Sequence, residues 1–513
     1  MKKATSLFSK LLLASLFVAG PAWAQEQTIT MTSAKAAGQT VTLLVNHTRD
    51  GVTVDWGDGT AVAYNTGNDV LREVTGVYKG GTITLKGSSK LTTLICAGQE
   101  LTSLDVSEAT NLRSLYCQDN QLTELVVRNI KTLTDLNCAN NQIARIQLSS
   151  TYLPNLETMN VANNQLGNIS NSATATNFVA SQPRLQYVNV SGNGKIKTVA
   201  TSAALKLDYL DCSENSATRV TFSSNEMPIT TLLLNDNAIS TLDVSNLPRL
   251  QQVYVDNNQL QTLDLSAAAE LDELSASNNL LDLVSLPRRR IATLYYPNNY
   301  LVFSSLPRQA FIAAGNIVVY PQHAFNLPSD MRTSDDGSPY VEVCPSWEDR
   351  TNADYVVDFV DKVTDFNGTS RATINFYQVL DDASEQLLSR KTSKDGSGDY
   401  VNTSSKISFV KGMKRVVAKV THTNSSYADY SFVSKPFAVG KDNAVGIDEV
   451  SHDAAELTIA VGHGELLLIG GNGRRVSVFE ASGKCVWNGV ASGNVSVRLP
   501  RGIYIVNGKK VLL

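Results

Sequence analysis

A repeat of about 21 residues runs from Leu91 to about Pro307 and constrains the fold more than any other feature of the chain. Each copy reads Leu-x-x-Leu-x-(Cys or apolar)-x-x-Asn-x-Leu, and a second apolar triad such as Leu104-Asp105-Val106 follows. In one early copy these places are held by Leu112, Leu115, Cys117, Asn120 and Leu122. One copy is too short to bury its own apolar edge, so successive copies must stack until they share a core.

The spacing within each copy predicts a short strand whose apolar residues, two positions apart, point inward. Copies in phase should pair as a parallel sheet with strands about 4.8 Å apart, which predicts a mostly β solenoid. The repeat resembles the leucine-rich repeat family, at the short end of its range of periods. The resemblance covers residues 91 to about 307 and implies a non-enzymatic binding scaffold, and we expect the solenoid domain to span residues 91–320.

An asparagine recurs where each predicted strand must turn. A side-chain amide can both donate to and accept from backbone groups that would otherwise be buried without partners, so the sequence predicts a structural role. The positions are Asn120, Asn141, Asn164, Asn193, Asn215, Asn237, Asn258, Asn279 and Asn299.

Four cysteines, Cys96, Cys117, Cys138 and Cys212, occupy one repeat position and should line up as an inward-facing row. Strands in register would place neighbouring Cβ atoms about 4.8 Å apart, farther than the roughly 3.8 Å that a disulfide favours. We therefore expect free thiols that act as small core residues. Cys344 and Cys485 fall in different predicted domains, and no pairing is assigned to them.

The outward positions around the buried pair of each copy should pave one exposed face of the sheet. This set holds tyrosines and acids, and tyrosine is enriched at protein interfaces because it offers rigid, amphipathic contact area. The alternative is that these tyrosines pack on each other without a partner. The candidate binding residues are Tyr116, Asp135, Tyr187, Tyr209, Asp211, Tyr254, Asp256, Glu273 and Tyr295.

One copy is longer than the others, and we expect a loop to leave the solenoid near residues 167–182. Long loops on a rigid frame often contact partners, but a tolerated insertion is the simpler interpretation. Proline in Leu247-Pro248-Arg249 and in its two later equivalents should fix the entry into a new copy.

The N-terminus has the order of a cleavable secretory signal: Lys2 and Lys3, an apolar run from Leu11 to Ala19, and small residues up to Ala24. Cleavage before Gln25 would remove three of the 44 basic residues and leave 41 against 48 acidic ones, a formal net charge of −7. An acidic chain argues against nucleic acid as a main partner. The rest of the sequence has no apolar run long enough to span a membrane, so we expect an exported protein, at the cell surface or extracellular.

Residues 25–90 are predicted to form strands that cap the solenoid, with Thr82-Ile83-Thr84-Leu85 covering the first repeat. Within them, Trp56-Gly57-Asp58-Gly59 is similar to the hairpin of PKD-like surface modules found in Bacteroidetes-type bacteria. The alternatives for Asp55 and Asp58 are a calcium site and a simple tight turn. The turn is favoured, because two carboxylates supply too few of the six to eight oxygens that calcium takes.

Two β-rich segments follow the repeats. Residues 321–440 contain short β-prone runs separated by turns, which predicts an immunoglobulin-like β-sandwich.

Residues 441–513 include Val476-Ser477-Val478-Phe479 and Gly502-Ile503-Tyr504-Ile505, and resemble the C-terminal sorting domain of type IX secretion substrates. That resemblance implies contact with the type IX machinery, removal of the domain and attachment to the cell surface. The simpler alternative is an ordinary small β-domain.

The sequence shows none of the common catalytic or metal-binding motifs. Its five histidines are scattered singly, with no spacing that would hold a metal. There is no Gly-x-Ser-x-Gly elbow, phosphate loop or dinucleotide fingerprint, so we expect no enzyme, no cofactor and no metal site.

The leading hypothesis is an adhesin-like protein that binds a host or microbial protein through the repeat face. The alternative is a glycan-binding surface protein.

Overall fold

The N-terminal region forms two strand layers that continue directly into the repeats. Its strands are β1 (Gln27–Ser33), β2 (Thr40–His47), β3 (Val52–Asp55), β4 (Ala61–Tyr64), β5 (Arg72–Val77) and β6 (Ile83–Gly87). In this computed structural model the described residues are 27–47, 51–65, 70–87, 91–128, 130–146, 152–167, 177–179, 182–201, 203–306, 317–319, 322–364, 372–403, 405–422, 430–444 and the strands between 458 and 512. The predicted signal, with its cleavage site at Ala24 and Gln25, lies outside them.

The hairpin of β3 and β4 is a tight turn built on one carboxylate. The Oδ1 atom of Asp55 accepts hydrogen bonds from the backbone N–H groups of Gly57 (2.8 Å), Asp58 (3.1 Å) and Gly59 (3.0 Å). These bonds lower the pKa of Asp55, and the bond from Gly57 contributes most. The predicted turn is present, and the Asp55 carboxylate serves the backbone of the turn itself.

In the described part of the repeats there are 17 strands of two to five residues, β7 to β23. They are β7 (Leu91–Ile95), β8 (Leu101–Asp105), β9 (Ser114–Tyr116), β10 (Asp135–Asn137), β11 (Thr158–Asn160), β12 (Asn177–Val179), β13 (Tyr187–Asn189), β14 (Thr198–Ala200), β15 (Tyr209–Asp211), β16 (Arg219–Thr221), β17 (Thr231–Leu233), β18 (Gln252–Tyr254), β19 (Thr262–Asp264), β20 (Glu273–Ser275), β21 (Leu283–Ser285), β22 (Thr293–Tyr295) and β23 (Ile317–Val318). A 3₁₀ turn spans Phe303–Ser305.

One long sheet joins the repeats to the N-terminal region. Its order is β23-β22-β20-β18-β17-β15-β13-β11-β10-β9-β7-β2-β5, and from β7 to β23 neighbouring strands are parallel. Of the other repeat strands, β8 belongs to the sheet β4-β3-β6-β1-β8, and the rest form two short parallel sheets from the second apolar triad, β12-β14-β16 and β19-β21. The predicted solenoid with short parallel strands is confirmed.

Two expectations about the solenoid need correction. The strands that pair with the first repeat are β1 on β8 and β2 on β7, both antiparallel, whereas β6 lies between β1 and β3. Thr82–Leu85 therefore does not cover the first repeat directly. Most of the loop expected at 167–182 lies outside the described residues, but its part Asn177–Val179 is strand β12 and pairs with β14.

The segment after the repeats is a two-sheet β-sandwich. Its elements are β24 (Arg332–Thr333), β25 (Pro339–Val341), β26 (Val357–Asp358), α1 (Val360–Val363), β27 (Ala372–Val379), β28 (Glu385–Leu387), β29 (Tyr400–Thr403), β30 (Lys406–Phe409), β31 (Met413–His422), β32 (Ser431–Val433) and β33 (Phe437–Val439), with 3₁₀ turns at Glu348–Thr351 and Lys441–Asn443. The sheets are β24-β25-β33-β31-β27-β28, with β32 beside β31, and β26-β30-β29. Buried rings fill the space between them: Phe359, Phe376, Phe409 and Phe437 are each 0% exposed.

The last segment has seven strands in two antiparallel sheets, β34-β35-β38 and β37-β36-β39-β40. They are β34 (Thr458–Gly462), β35 (Glu465–Ile469), β36 (Arg474–Glu480), β37 (Cys485–Ala491), β38 (Val495–Arg498), β39 (Ile503–Val506) and β40 (Lys509–Leu512). The chain is thus mostly β throughout its described length. Among the described residues, no helix has the length and apolar character needed to cross a lipid bilayer.

Candidate binding face of the solenoid

A buried row of asparagines sets the geometry of every repeat. The Nδ2 group of Asn279 donates to the carbonyl oxygens of Val255 (2.9 Å), Ala276 (3.3 Å) and Ser277 (3.1 Å), and its Oδ1 accepts from the N–H of Leu260 (3.0 Å). The same donor pattern repeats at Asn120, Asn141, Asn164, Asn193, Asn215, Asn237, Asn258 and Asn299. Each amide ties its own turn to the previous copy, so these contacts fix the angle at which the copies stack.

The solenoid extends one copy beyond the clear sequence pattern. Gln322 takes the asparagine's place: its Nε2 donates to the carbonyls of Tyr296 (3.0 Å) and Val319, and its Oε1 accepts from the N–H of Leu301 at 3.0 Å. Strand β23, in the same copy as Gln322, pairs in parallel with β22 of the preceding copy. A glutamine replaces the expected asparagine here, which hides this copy from the sequence pattern.

The cysteines line the interior of the same turns. Cys96, Cys117, Cys138 and Cys212 are free thiols and at most 1% exposed. Burial raises the pKa of Cys96 to about 12 and that of Cys138 to about 12, so these thiols stay protonated. Val161 and Val190 occupy the place between Cys138 and Cys212, where the row is interrupted. The thiols therefore serve as small apolar side chains in the core.

Four rows of side chains point away from this interior. The first two rows flank the buried centre of each strand in the long sheet, and together they are called the display face here. The first row is Thr93, Ser114, Asp135, Thr158, Tyr187, Tyr209, Thr231, Gln252, Glu273 and Thr293, and the second is Ile95, Tyr116, Asn137, Asn160, Asn189, Asp211, Leu233, Tyr254, Ser275 and Tyr295.

The remaining two rows lie beyond the strands. The third follows the buried cysteine position and consists of Ala97, Gln118, Ala139, Ala162, Ser191, Ser213, Asn235, Asp256, Ser277 and Pro297. The fourth comes next and consists of Gly98, Asp119, Asn140, Asn163, Gly192, Glu214, Asp236, Asn257, Asn278 and Asn298, each with a positive φ. Asparagine, aspartate and glycine adopt that conformation at lower cost than other residues, which explains most of this row's composition.

The structure brings eight of the nine candidate binding residues onto the display face. Four lie in the first row (Asp135, Tyr187, Tyr209 and Glu273) and four in the second (Tyr116, Asp211, Tyr254 and Tyr295). Asp256 is different, because it lies in the third row, two residues after the end of strand β18. Its Oδ1 atom accepts from the hydroxyls of Ser275 (2.8 Å) and Ser277 (2.5 Å) and from the Ser277 N–H (2.6 Å). Asp256 therefore joins two copies rather than lying on the strand surface.

Two of the tyrosines stack on each other. The rings of Tyr187 and Tyr209, in neighbouring strands, have centroids 4.5 Å apart and planes inclined by 9°. Their facing surfaces are therefore used by the pair itself, and the stack leaves ring edges and hydroxyls for a ligand. Both rings remain partly exposed. The alternative that these tyrosines pack on each other holds for this pair.

Burial, with smaller contributions from neighbouring acids, raises the pKa of four of the five display-face tyrosines. Burial, with a further contribution from Asp135, raises the pKa of Tyr116. Burial and then Asp211 raise the pKa of Tyr209, and burial together with a hydrogen bond to Glu273 raises that of Tyr254. Burial and then Asp256 raise the pKa of Tyr295 to about 12. The tyrosines thus remain neutral donors in a negative local potential.

The acids of the display face bind neutral partners. Asp135 accepts from the hydroxyls of Thr134 (2.7 Å) and Thr158 (2.7 Å), and Asp211 from the N–H of Ser213 (2.9 Å). Glu273 accepts from the side-chain amide of Gln252 at 3.1 Å. Among the residues described, no ion pair of the solenoid involves these three carboxylates. Their charge is oriented by the scaffold but not neutralised by it.

Two polar features of the outward rows were missed from the sequence. Asn137, Asn160 and Asn189 occupy consecutive second-row positions, and the Oδ1 atom of each caps the N–H two residues later at 2.9–3.1 Å. The three side chains are partly exposed, and their Nδ2 groups have no hydrogen-bond partner among the described residues. The sequence signal for this cap was an Asn that recurs two residues before Ala or Ser in these copies.

The second missed feature is a chain of amides along the fourth row. Nδ2 of Asn257, Asn278 and Asn298 each donates to Oδ1 of the preceding copy's residue, at 2.7, 2.8 and 2.7 Å. Asn140 donates in the same way to Oδ1 of Asp119 at 2.7 Å, and Asn163 donates to Oδ1 of Asn140 at 2.8 Å. The paired Asn-Asn in several copies was the available clue, because one asparagine is buried and the other exposed.

Metal binding finds no support in the described residues, where no group of three or more His, Cys, Asp or Glu side chains converges. The arrangement instead offers a rigid, ordered array of hydroxyls, amides and carboxylates on a sheet surface. Such an array can donate and accept hydrogen bonds with a partner and attract positive charge.

The similarities of this chain to known proteins are with solved structures. No protein-family model matches the sequence, and no curated protein does. Among solved structures, the LRIM1/APL1C complex is 21% identical, with 47% of this chain and 52% of that chain covered and a TM-score of 0.34. The functional domain of InlJ from Listeria monocytogenes, which includes a cysteine ladder, is 16% identical, with coverages of 71% and 94% and a TM-score of 0.20. InlP from Listeria monocytogenes is 15% identical, with coverages of 61% and 81% and a TM-score of 0.33.

The fold is a leucine-rich repeat solenoid. This conclusion rests on the parallel strands, the in-phase buried positions and the asparagine row. The chain spans about half the length of the LRIM1/APL1C chain that it matches.

Proposed function

We propose that this leucine-rich repeat protein is a non-enzymatic, adhesin-like binding protein that holds a host or microbial protein on its display face. The observation that carries the proposal is the array of five partly exposed tyrosines on one rigid sheet surface: Tyr116, Tyr187, Tyr209, Tyr254 and Tyr295. Tyrosine concentrates binding energy at interfaces because a large contact area is fixed at a small cost in side-chain entropy.

The stacked pair favours a protein partner over a sugar. Sugars bind best across an open aromatic face, whereas Tyr187 and Tyr209 use their facing surfaces on each other and offer hydroxyls and edges. Peptide groups and side chains can hydrogen-bond to those hydroxyls. Glycan capture is the second candidate, and the outward amides of Asn137, Asn160 and Asn189 support it because they can donate to sugar hydroxyls.

The test compares protein and glycan arrays probed with the full exported chain and with two variants. Tyr209→Ala/Tyr254→Ala removes two rings from the display face, while Tyr152→Ala removes a ring from a turn outside it. We expect protein hits that the double variant loses by at least about tenfold and that the control retains. Hits that survive in the double variant would contradict the proposal, and hits confined to glycans would favour the second candidate.

The proposal includes export to the cell surface. It is supported by the secretory-signal pattern ending at Ala24 and by the resemblance of residues 441–513 to type IX sorting domains. Mass spectrometry of the protein recovered from the cell surface should find a chain that begins at Gln25 and lacks the C-terminal strands. Recovery of the uncleaved chain from the cell interior would contradict this part of the proposal.

A further inference from the structure

The four outward rows of the solenoid differ in charge from the rest of its surface. No position in these rows, from Thr93 to Asn298, is Lys, Arg or His. Seven positions are acidic: Asp119, Asp135, Asp211, Glu214, Asp236, Asp256 and Glu273. The basic residues of the repeats lie at other positions, such as Arg128, Arg145, Arg219 and Arg249. The four rows therefore contain acidic side chains and no basic ones, although Arg113 lies directly before Ser114 of the first row.

We infer that the protein segment bound by the display face is an extended, Lys/Arg-rich stretch of a partner protein. This inference rests on the proposed function and names the chemistry of its partner. Carboxylates left without cations by their own scaffold attract cationic side chains and speed their encounter. Tyr254, which lies beside Glu273 and outside the stacked pair, adds a cation–π contact that a Lys or Arg side chain can make together with a salt bridge.

The spacing of the acids sets the length of the segment. Asp135 in β10 and Glu273 in β20 are separated by six strand steps, about 29 Å at about 4.8 Å per step. An extended peptide rises about 3.3 Å per residue, so about nine residues span that distance. Asp211 with Tyr209, and Glu273 with Tyr254, would then contact cationic side chains at two separate points along the segment.

The probe is a fluorescent peptide of nine residues that alternates Lys and Ser, and anisotropy measures its binding to the full exported chain. A Glu/Ser peptide of equal length is the charge control. We expect the Lys peptide to bind at least about tenfold more tightly than the Glu peptide, with an affinity that falls as salt rises.

Matched variants locate the peptide on the molecule. Asp211→Asn/Glu273→Gln removes two charges from the display face and keeps their hydrogen-bonding oxygens. Asp243→Asn/Asp264→Asn removes two exposed charges from equivalent places in the second apolar triad of neighbouring copies. The face variant should weaken binding by about fivefold or more, and the control by less than about twofold.

Equal weakening in both double variants, or no preference for the Lys peptide over the Glu peptide, would overturn the inference. The two proposals can fail separately. If array hits depend on Tyr209 and Tyr254 but the Lys peptide neither binds nor competes with them, only the cationic partner is wrong. If no protein hit depends on the display face, the proposed function itself is wrong.

Discussion

The solenoid and the β-sandwich at 324–444 bury their apolar residues in opposite ways. In the solenoid, Leu115, Leu136 and their equivalents form a line, and each has a counterpart one copy away. In the sandwich, the ring of Phe376 lies within 5.0–5.4 Å of Tyr400, Phe409 and Phe359, measured between ring centroids. In a linear core, the loss of one buried side chain affects contacts with the neighbouring copies only. In a central cluster, the loss of one ring affects contacts with most of the other rings.

The largest effect should come from the centre of the sandwich. Phe376→Ala removes a ring that contacts several others and should lower the free energy of unfolding by about 3–5 kcal/mol. Leu387→Ala, at a side chain 58% exposed, should change it by less than about 0.5 kcal/mol. Urea unfolding of the full chain, with hydrogen exchange reporting each region separately, measures both. A loss below about 1 kcal/mol for Phe376→Ala would contradict the concentrated core.

A smaller effect is expected within the buried asparagine row. Asn279→Ala should cost about 1–3 kcal/mol, because it leaves the Leu260 N–H and several carbonyls buried without partners. Asn215→Ala is the matched comparison, since the Oδ1 atom of Asn215 has no hydrogen-bond partner and fewer bonds are lost. The same unfolding measurement should rank Asn279→Ala above Asn215→Ala. Equal costs would show that the acceptor bond contributes little to the stacking of copies.

The smallest effect concerns the pH dependence of the solenoid. Burial raises the pKa of Asp256 in the folded chain, so ionisation costs the folded state more than the unfolded state. The contribution of protonated Asp256 to the stability of the fold is therefore present below the pKa that this residue has in the unfolded chain. It is lost as the pH rises through the pKa that Asp256 has in the folded chain. The stability of Asp256→Asn relative to the unmodified protein should increase as the pH is raised from about 4 to about 7. A constant difference over that range would contradict the assignment.

The repeat made the solenoid predictable, because one period fixes the buried leucines, the cysteine position and the asparagine turn together. It also placed eight of the nine candidate residues on one face, since outward positions follow from strand alternation. Asp256 was misplaced because the pattern does not show where the strand ends. The copy ending at Gln322 escaped detection because glutamine can replace asparagine once its longer side chain reaches the same carbonyls.

Sequence reasoning was weaker wherever long-range pairing decides the structure. Pairing of β1 with β8 and of β2 with β7 joins segments far apart in the chain, and no local pattern specifies which strand meets the first repeat. The absence of basic residues from the outward rows can be read from the sequence. That these positions form one surface becomes clear only when the structure places the fourth row and Asp256 beside the strands.

The central claim is that binding occurs on the outward rows of a stacked, non-catalytic solenoid. Hydrogen–deuterium exchange on the full exported chain, with and without the Lys/Ser peptide, tests it most directly. We predict slower exchange of backbone amides in and just after strands β10, β15, β18 and β20, with unchanged exchange in the second apolar triads. Protection confined to the second triads, or to the β-sandwich, would contradict the account.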